Sequence, residues 1–424
     1  FKLHAGKLYF SATDSRGTEL WVTDGTTVGT LLVKDINQTS PGSSSSPKNL
    51  YSWHGKLYLT ADNGSVGREL WSSDGTSTGT KLVKDVFPGI SDILDTSNNG
   101  DSNQPYFAGV SGGLLFTANS PIYSQEMWVT DGSASGTNLL VDAKVGPGYS
   151  YAQNAVAFNG KIYFSASSAY YGHELWSTDL TTGNTQQVID IYPGAASGME
   201  WNQYYDYYWN RQAKNMAVFN GRLYFTARNA ATGWELWSTD GTAAGTSIVE
   251  DGVTGTNGYG ASNLTACGGN LFFAGYISNS RVQSTTTVFK LNSNGLPVPL
   301  ISTYSNNSYP SWDTGKMVCT SNGTLFFSAS EQGMSPNRGF ELWKSDGTAA
   351  GTVLVKDITP GNDSWGNPLG SEISNMVAVG NNVFFKTYDS TNYTWPIWAS
   401  DGTSAGTGRG CEAESAHVLL VKPP

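Results

Sequence analysis

About twenty residues recur along this chain with almost no change. "GTELWVTDGTTVGTLLVKD" starts at Gly17, "GRELWSSDGTSTGTKLVKD" at Gly67 and "GFELWKSDGTAAGTVLVKD" at Gly339. Related copies begin at Ser124, Gly172 and Gly233, and a worn one, "WPIWASDGTSAGT", at Trp395. A degenerate copy, "TTVFKLNSNGLPVPLIS", lies between those of Gly233 and Gly339, with Phe289 in place of the tryptophan. Taking Trp21, Trp71, Trp128, Trp176, Trp237, Phe289, Trp343 and Trp398 as marks, the intervals are 50, 57, 48, 61, 52, 54 and 55 residues. A catalytic constellation is not normally built eight times over, so the recurring residues read as scaffold.

Each unit also has a front half, such as "AVFNGRLYFTA" from Ala217 or "AVAFNGKIYFSA" from Ala155. Alternating apolar residues around an Asn-Gly or His-Gly turn predict a β-hairpin. The "ELW" half adds two strands joined by the D-G-T-x-x-G-T turn. Four strands per unit, repeated, predict an all-β fold: a single eight-bladed β-propeller of four-stranded antiparallel blades. The units run roughly 1–46, 47–103, 104–150, 151–210, 211–258, 259–312, 313–371 and 372–424 of one domain, 1–424.

The leucine and tryptophan of "ELW" are expected on opposite faces of the third strand, with the indole filling the wedge between blades. Asp24, Asp74, Asp131, Asp240, Asp346 and Asp401 are expected to organise their own turns. If the hairpins close regularly, Glu19 faces Lys34, Glu69 faces Lys84 and Glu341 faces Lys356 as cross-strand pairs.

Composition narrows the function. A net charge of −10 argues against a nucleic-acid partner, whose phosphates require Lys and Arg. No apolar run is long enough to span a membrane. Four scattered His and three Cys offer no metal-ligand spacing, and no cofactor is expected. Cys267 and Cys319 precede corresponding strands of consecutive units, so one bridge between neighbours is expected, leaving Cys411 over. The chain starts at Phe with no signal-like segment, which suggests a processed protein or a piece of a longer one. Few charges and much Ser, Thr and Asn suit an extracellular or cell-surface location. Glycosylation sequons start at Asn37, Asn63, Asn263, Asn306, Asn322, Asn362 and Asn392.

"ELWSTDGTAAGT" and "VLVKDITPG" resemble the ELWxxDGT repeat family over nearly the whole chain, the sixth unit departing most. The resemblance implies a propeller-like fold and a surface or secreted setting, and supplies no catalytic residue. The D-G-T turn also resembles the Asp-box hairpin of sialidase-type propellers.

Length varies only between the "LYF" and "ELW" strands and between units, two connections that share one face of a propeller. Those loops are aromatic: Tyr149, Tyr151, Trp201, Tyr204, Tyr205, Tyr207, Tyr208, Trp209, Tyr309, Trp312, Trp365, Tyr393 and Trp395, with Tyr170 and Tyr171 alike. They fit mutual packing, a protein partner or self-assembly, or a glycan. The expectation is a non-catalytic, secreted or cell-surface module for binding, adhesion or assembly. The alternative is a polysaccharide-active enzyme using loop carboxylates from Glu200, Asp206, Asp313, Glu331 and Glu372. A quinone-dependent dehydrogenase lacks the adjacent cysteines it would need.

Overall fold

The computed structural model describes residues 2–89, 92–93, 106–146, 148–199, 216–252, 258, 260–276, 285–304, 317–330, 339–364, 366, 368–388 and 394–409. Eight four-stranded antiparallel sheets follow one another, each built from four consecutive strands. The fold is an all-β, eight-bladed β-propeller. Blade 1 shows the pattern, with strands Lys2–His4, Lys7–Asp14, Gly17–Thr23 and Leu31–Lys34. Two compact units divide the blades, 1 to 4 within Phe1–Ser197 and 5 to 8 within Arg211–Glu412. Inside each unit the first strands of neighbouring blades touch, so they form the inner seam.

Alternation along each strand sends side chains to two neighbours. In blade 2, Tyr58, Leu70 and Val83 pack with Leu114, Phe116 and Trp128 of blade 3. Leu57, Leu59, Ala61 and Trp71 face the other way, against Tyr9, Leu20 and Val33 of blade 1. Leucine and tryptophan of "ELW" therefore do serve opposite wedges. In blade 6 Phe289 replaces the indole, 2% exposed and stacked on Phe273 at 5.0 Å.

The D-G-T turn is self-contained. Asp24 Oδ1 accepts from Thr26 N at 2.9 Å and Thr26 Oγ1 at 2.7 Å, and Gly29 N donates to Thr26 Oγ1. Gly25 takes φ of 94°, and a Cβ on Gly29 would lie 1.9 Å from Asp24 Oδ1, so both glycines are required. The same aspartate bonds recur at Asp74, Asp131, Asp240, Asp346 and Asp401.

The expected Glu–Lys pairs do not form. A bulge between Leu20 and Trp21 inserts one residue in the fourth strand, so Lys34 stands opposite Leu20. Bulges at Leu70/Trp71 and Leu342/Trp343 do the same for Lys84 and Lys356. The displaced lysines reach the next blade instead: Lys34 Nζ donates to Thr80 O, Lys84 Nζ to Thr137 O and Lys356 Nζ to Thr407 O at 2.8, 2.5 and 2.6 Å. Lys84 also lies over the Trp128 ring.

Cys267 and Cys319 form a disulfide with Cα atoms 5.4 Å apart, joining the first strands of blades 6 and 7.

Candidate functional site

The repeated glutamate is the obvious candidate for chemistry, and its surroundings make it a staple. Glu19, Glu69, Glu126, Glu174, Glu235 and Glu341 are all 0% exposed. Each stands opposite an alanine of the second strand, a side chain small enough to let the carboxyl turn inward. Glu19 accepts from Ile36 N at 2.8 Å and from Ser45 N at 2.9 Å, gathering both ends of the segment that leads to blade 2. Glu341 likewise accepts from Ile358 N and the Ser371 hydroxyl. Burial pushes Glu69 and Glu126 up to about 8 and Glu341 up to about 7, with Asp85, Asp142 and Asp357 adding to the rise. The turn aspartates Asp24, Asp74, Asp131, Asp346 and Asp401 go the other way, because hydroxyl and amide donors two residues on favour their charged form. Asp240 is lowered by the same two donors of Thr242. The turn aspartates and Glu19, Glu69, Glu126, Glu174 and Glu341 are thus committed to the backbone around them.

The variable connections do share one end of the blades. Within blades 3 and 4, Ser150 N donates to Gln125 O at 3.0 Å and Ser167 N donates to Ser150 O at 2.7 Å. Ser150, in the segment between the blades, thus joins the blade 3 loop at Gln125 to the end of the second strand of blade 4 at Ser167. Tyr149 and Tyr151 flank it, stacked at 5.5 Å. Burial raises the Tyr151 phenol, and Tyr149 adds to the rise. In the neighbouring loop, Tyr170 and Tyr171 meet edge to face at 6.5 Å and are 75% and 46% exposed. Their amides donate to Ser168 Oγ, which fixes the loop. Ile122 and Val145 lie exposed in the blade 3 loop and in the connecting segment. Residues 119–125, 145–151 and 168–172 contain no charged side chain, in a chain of net charge −10. Blade 8 has a smaller pair, Tyr388 and Trp395 at 5.1 Å.

Trp201, Tyr204, Tyr205, Tyr207, Tyr208, Trp209, Tyr309, Trp312, Trp365 and Tyr393 lie outside the described residues. So do Glu200, Asp206, Asp313, Glu331, Asn306, Asn392 and Cys411. Glu372 is exposed with φ of 43°. Among the sequons, Asn37 is buried and its amide donates to Ser44 O, whereas Asn322 and Asn362 are exposed. Asn63 accepts from Ser65 N, and Asn263 has φ of 57°.

Two Ser–His contacts leave no signature in the sequence. His173 Nδ1 lies 3.0 Å from Ser167 Oγ and His4 Nδ1 lies 2.7 Å from Ser52 Oγ. Burial pushes His173 down to about 3, so its ring stays neutral. Among the described residues neither ring is hydrogen-bonded to a carboxylate, the group that would orient it for catalysis. Nor do three or more His, Cys, Asp or Glu gather there as metal ligands would, and no described helix is long and apolar enough to cross a membrane.

No family model and no curated protein matches the chain. Solved structures do. A puromycin hydrolase aligns at 11% identity and a TM-score of 0.44, over 89% of this chain and 54% of its own. Prolyl oligopeptidase B from Galerina marginata aligns at 10% and 0.44, over 93% and 53%. The β-propeller domain of the Trilobed protease from Pyrococcus furiosus aligns at 8% and 0.40, over 87% and 98%. This chain spans about half the length of the first two. At these identities the likeness is one of fold.

The proteins so reached are a hydrolase, a peptidase and a protease propeller, and none of the three is named for adhesion or carbohydrate binding. The expectation of a non-catalytic surface or adhesion module, with its polysaccharide-active alternative, is corrected accordingly. The physical reason is that recurrence identifies which residues are scaffold. It carries no information about what the scaffold is joined to or serves.

Proposed function

We propose that this propeller engages polypeptide on behalf of a peptide-processing protein, through the loop end of blades 3 and 4. The observation that carries this reading is the aromatic surface around Ser150, beside which the stem of Lys144 lies against Gly148. Tyr149, Tyr151, Tyr170 and Tyr171 are held by backbone and hydroxyl bonds, so little ordering is required on contact. Exposed Ile122, in the same blade 3 loop as Gln125, and Val145, in the same connecting segment as Ser150, add apolar area. Rings of this kind cover apolar side chains while their hydroxyls meet peptide groups, which suits a partially unfolded chain. No residue of the propeller is assigned the hydrolytic step.

The test is fluorescence anisotropy with a labelled, permanently unfolded polypeptide. Wild type is expected to bind, and Tyr149→Ala with Tyr170→Ala to weaken binding about tenfold or more, the effect of losing two aromatic anchors. Equal binding by a folded double variant would rule this surface out.

A further inference from the structure

The disulfide lies at the shortest of the first strands described in unit 2. The first strand of blade 7 is two residues long, Val318–Cys319, and pairs only with Phe326 and Leu325. The corresponding strands of blades 6 and 8 have six residues each, Ser262–Cys267 and Ser374–Val379. The blade 7 turn touches both neighbours. A Cβ on Gly268 of blade 6 would lie 2.4 Å from Gly323 O, and Ser321 N donates to Gly380 O of blade 8 at 2.8 Å. The turns of three blades are thus chained together, with one short strand at the centre.

We propose that the Cys267–Cys319 bond is a redox latch, which a dithiol opens to free the inner strand of blade 7 while the outer strands stay folded. Both cysteines belong to one apolar cluster but differ in exposure. Cys319 is partly exposed, whereas Cys267 is 4% exposed among Phe272, Val288, Phe327 and Trp343. A reductant thiolate attacks Sγ of Cys319, the S–S bond breaks, and Cys267 leaves as a thiolate that takes up a proton. The second thiol of the reductant then displaces Cys319 and closes the reductant's own disulfide, so two electrons and two protons pass to the protein. Cys267 stays beside Cys319 after the first attack, with Cα atoms 5.4 Å apart, so it can displace a monothiol from the adduct, and a dithiol is needed to hold the latch open. The outer strands have an anchor of their own, because Leu325 and Phe327 stay paired with Ser345 and Trp343.

The test is amide hydrogen exchange on the full chain, with Cys411→Ser in every sample, before and after a dithiol. Exchange across residues 317–325 is expected to rise about tenfold or more, with Phe340–Ser345 unchanged and protection restored on reoxidation. A monothiol should leave the pattern unaltered, and Cys319→Ser should reproduce the open pattern without reductant. No rise with the dithiol would overturn the latch. A rise spreading over all of residues 216–409 would also overturn it, because the bond would then be a staple for the whole unit. The samples that keep both Cys267 and Cys319 decide the matter even if the Cys319→Ser variant does not fold.

Discussion

The inner seams of the two units are closed by different chemistry. In unit 1, neighbouring first strands are joined by side chains. Tyr51 Oη accepts from Gly109 N at 3.0 Å, Trp53 Nε1 donates to Val110 O at 3.2 Å, and Tyr106 Oη accepts from Ala155 N at 2.6 Å. His4 and Ser52 close the seam between blades 1 and 2. In unit 2, a covalent bond stands between blades 6 and 7, beside the shortest first strand. Hydrogen bonds spread over three seams share the load, so losing one leaves the others. A single covalent closure concentrates it, and makes that seam a place where a chemical signal could act.

Reduction therefore carries the largest expected effect. Opening a disulfide between residues 52 apart should cost about 4 kcal/mol by loop-closure entropy. The readout is amide exchange across residues 317–325 in native buffer, with Phe340–Ser345 and unit 1 unmoved.

Glu126→Gln tests the staples of unit 1. Its folded pKa, about 8, lies above the unfolded value, so the native state holds the proton more tightly. The stabilisation is complete below the unfolded value, near 4.5, and is lost progressively as pH rises from there through about 8. Stability should fall by about 2 kcal/mol between pH 6 and 9 from this one group, and the glutamine variant should flatten that part of the slope. Urea midpoints measured across the range check it.

Tyr106→Phe leaves the Ala155 amide without its acceptor and should cost about 1–2 kcal/mol in urea unfolding, with no response to reductant. Lys84→Met is the smallest change. It removes the bond to Thr137 O and the charge over Trp128 while keeping the stem, for about 1 kcal/mol. If Lys84→Met exceeded Tyr106→Phe, the outer lysine contacts rather than the inner seam would dominate the joints of unit 1.

The blades are legible in the sequence because the same wedge must be filled eight times, and the chain repeats whatever fills it. Phe289 can be placed from its interval alone. The register of the fourth strand is not legible. A bulge adds one residue without changing composition, which puts Lys34 opposite Leu20 instead of Glu19 and sends it to Thr80. The inner seam is also hidden, since Tyr51 and Tyr106 belong to no recurring motif. A tyrosine in or beside a first strand is the only trace they leave. At the candidate site, loop length and ring content point to Tyr149, Tyr151, Tyr170 and Tyr171. That Ser150 links the blade 3 loop to the blade 4 strand leading to Tyr170 and Tyr171 depends on hydrogen bonds between segments far apart in sequence, which no local pattern encodes.

Whether the loop end of blades 3 and 4 receives polypeptide is decided by hydrogen exchange of the chain with and without a saturating unfolded polypeptide. Protection is expected at residues 119–125, 148–151 and 168–172, and nowhere else in unit 1. Protection at the opposite end of the blades, on the turns of Asp24, Asp74 and Asp131, with none around Ser150, would contradict it.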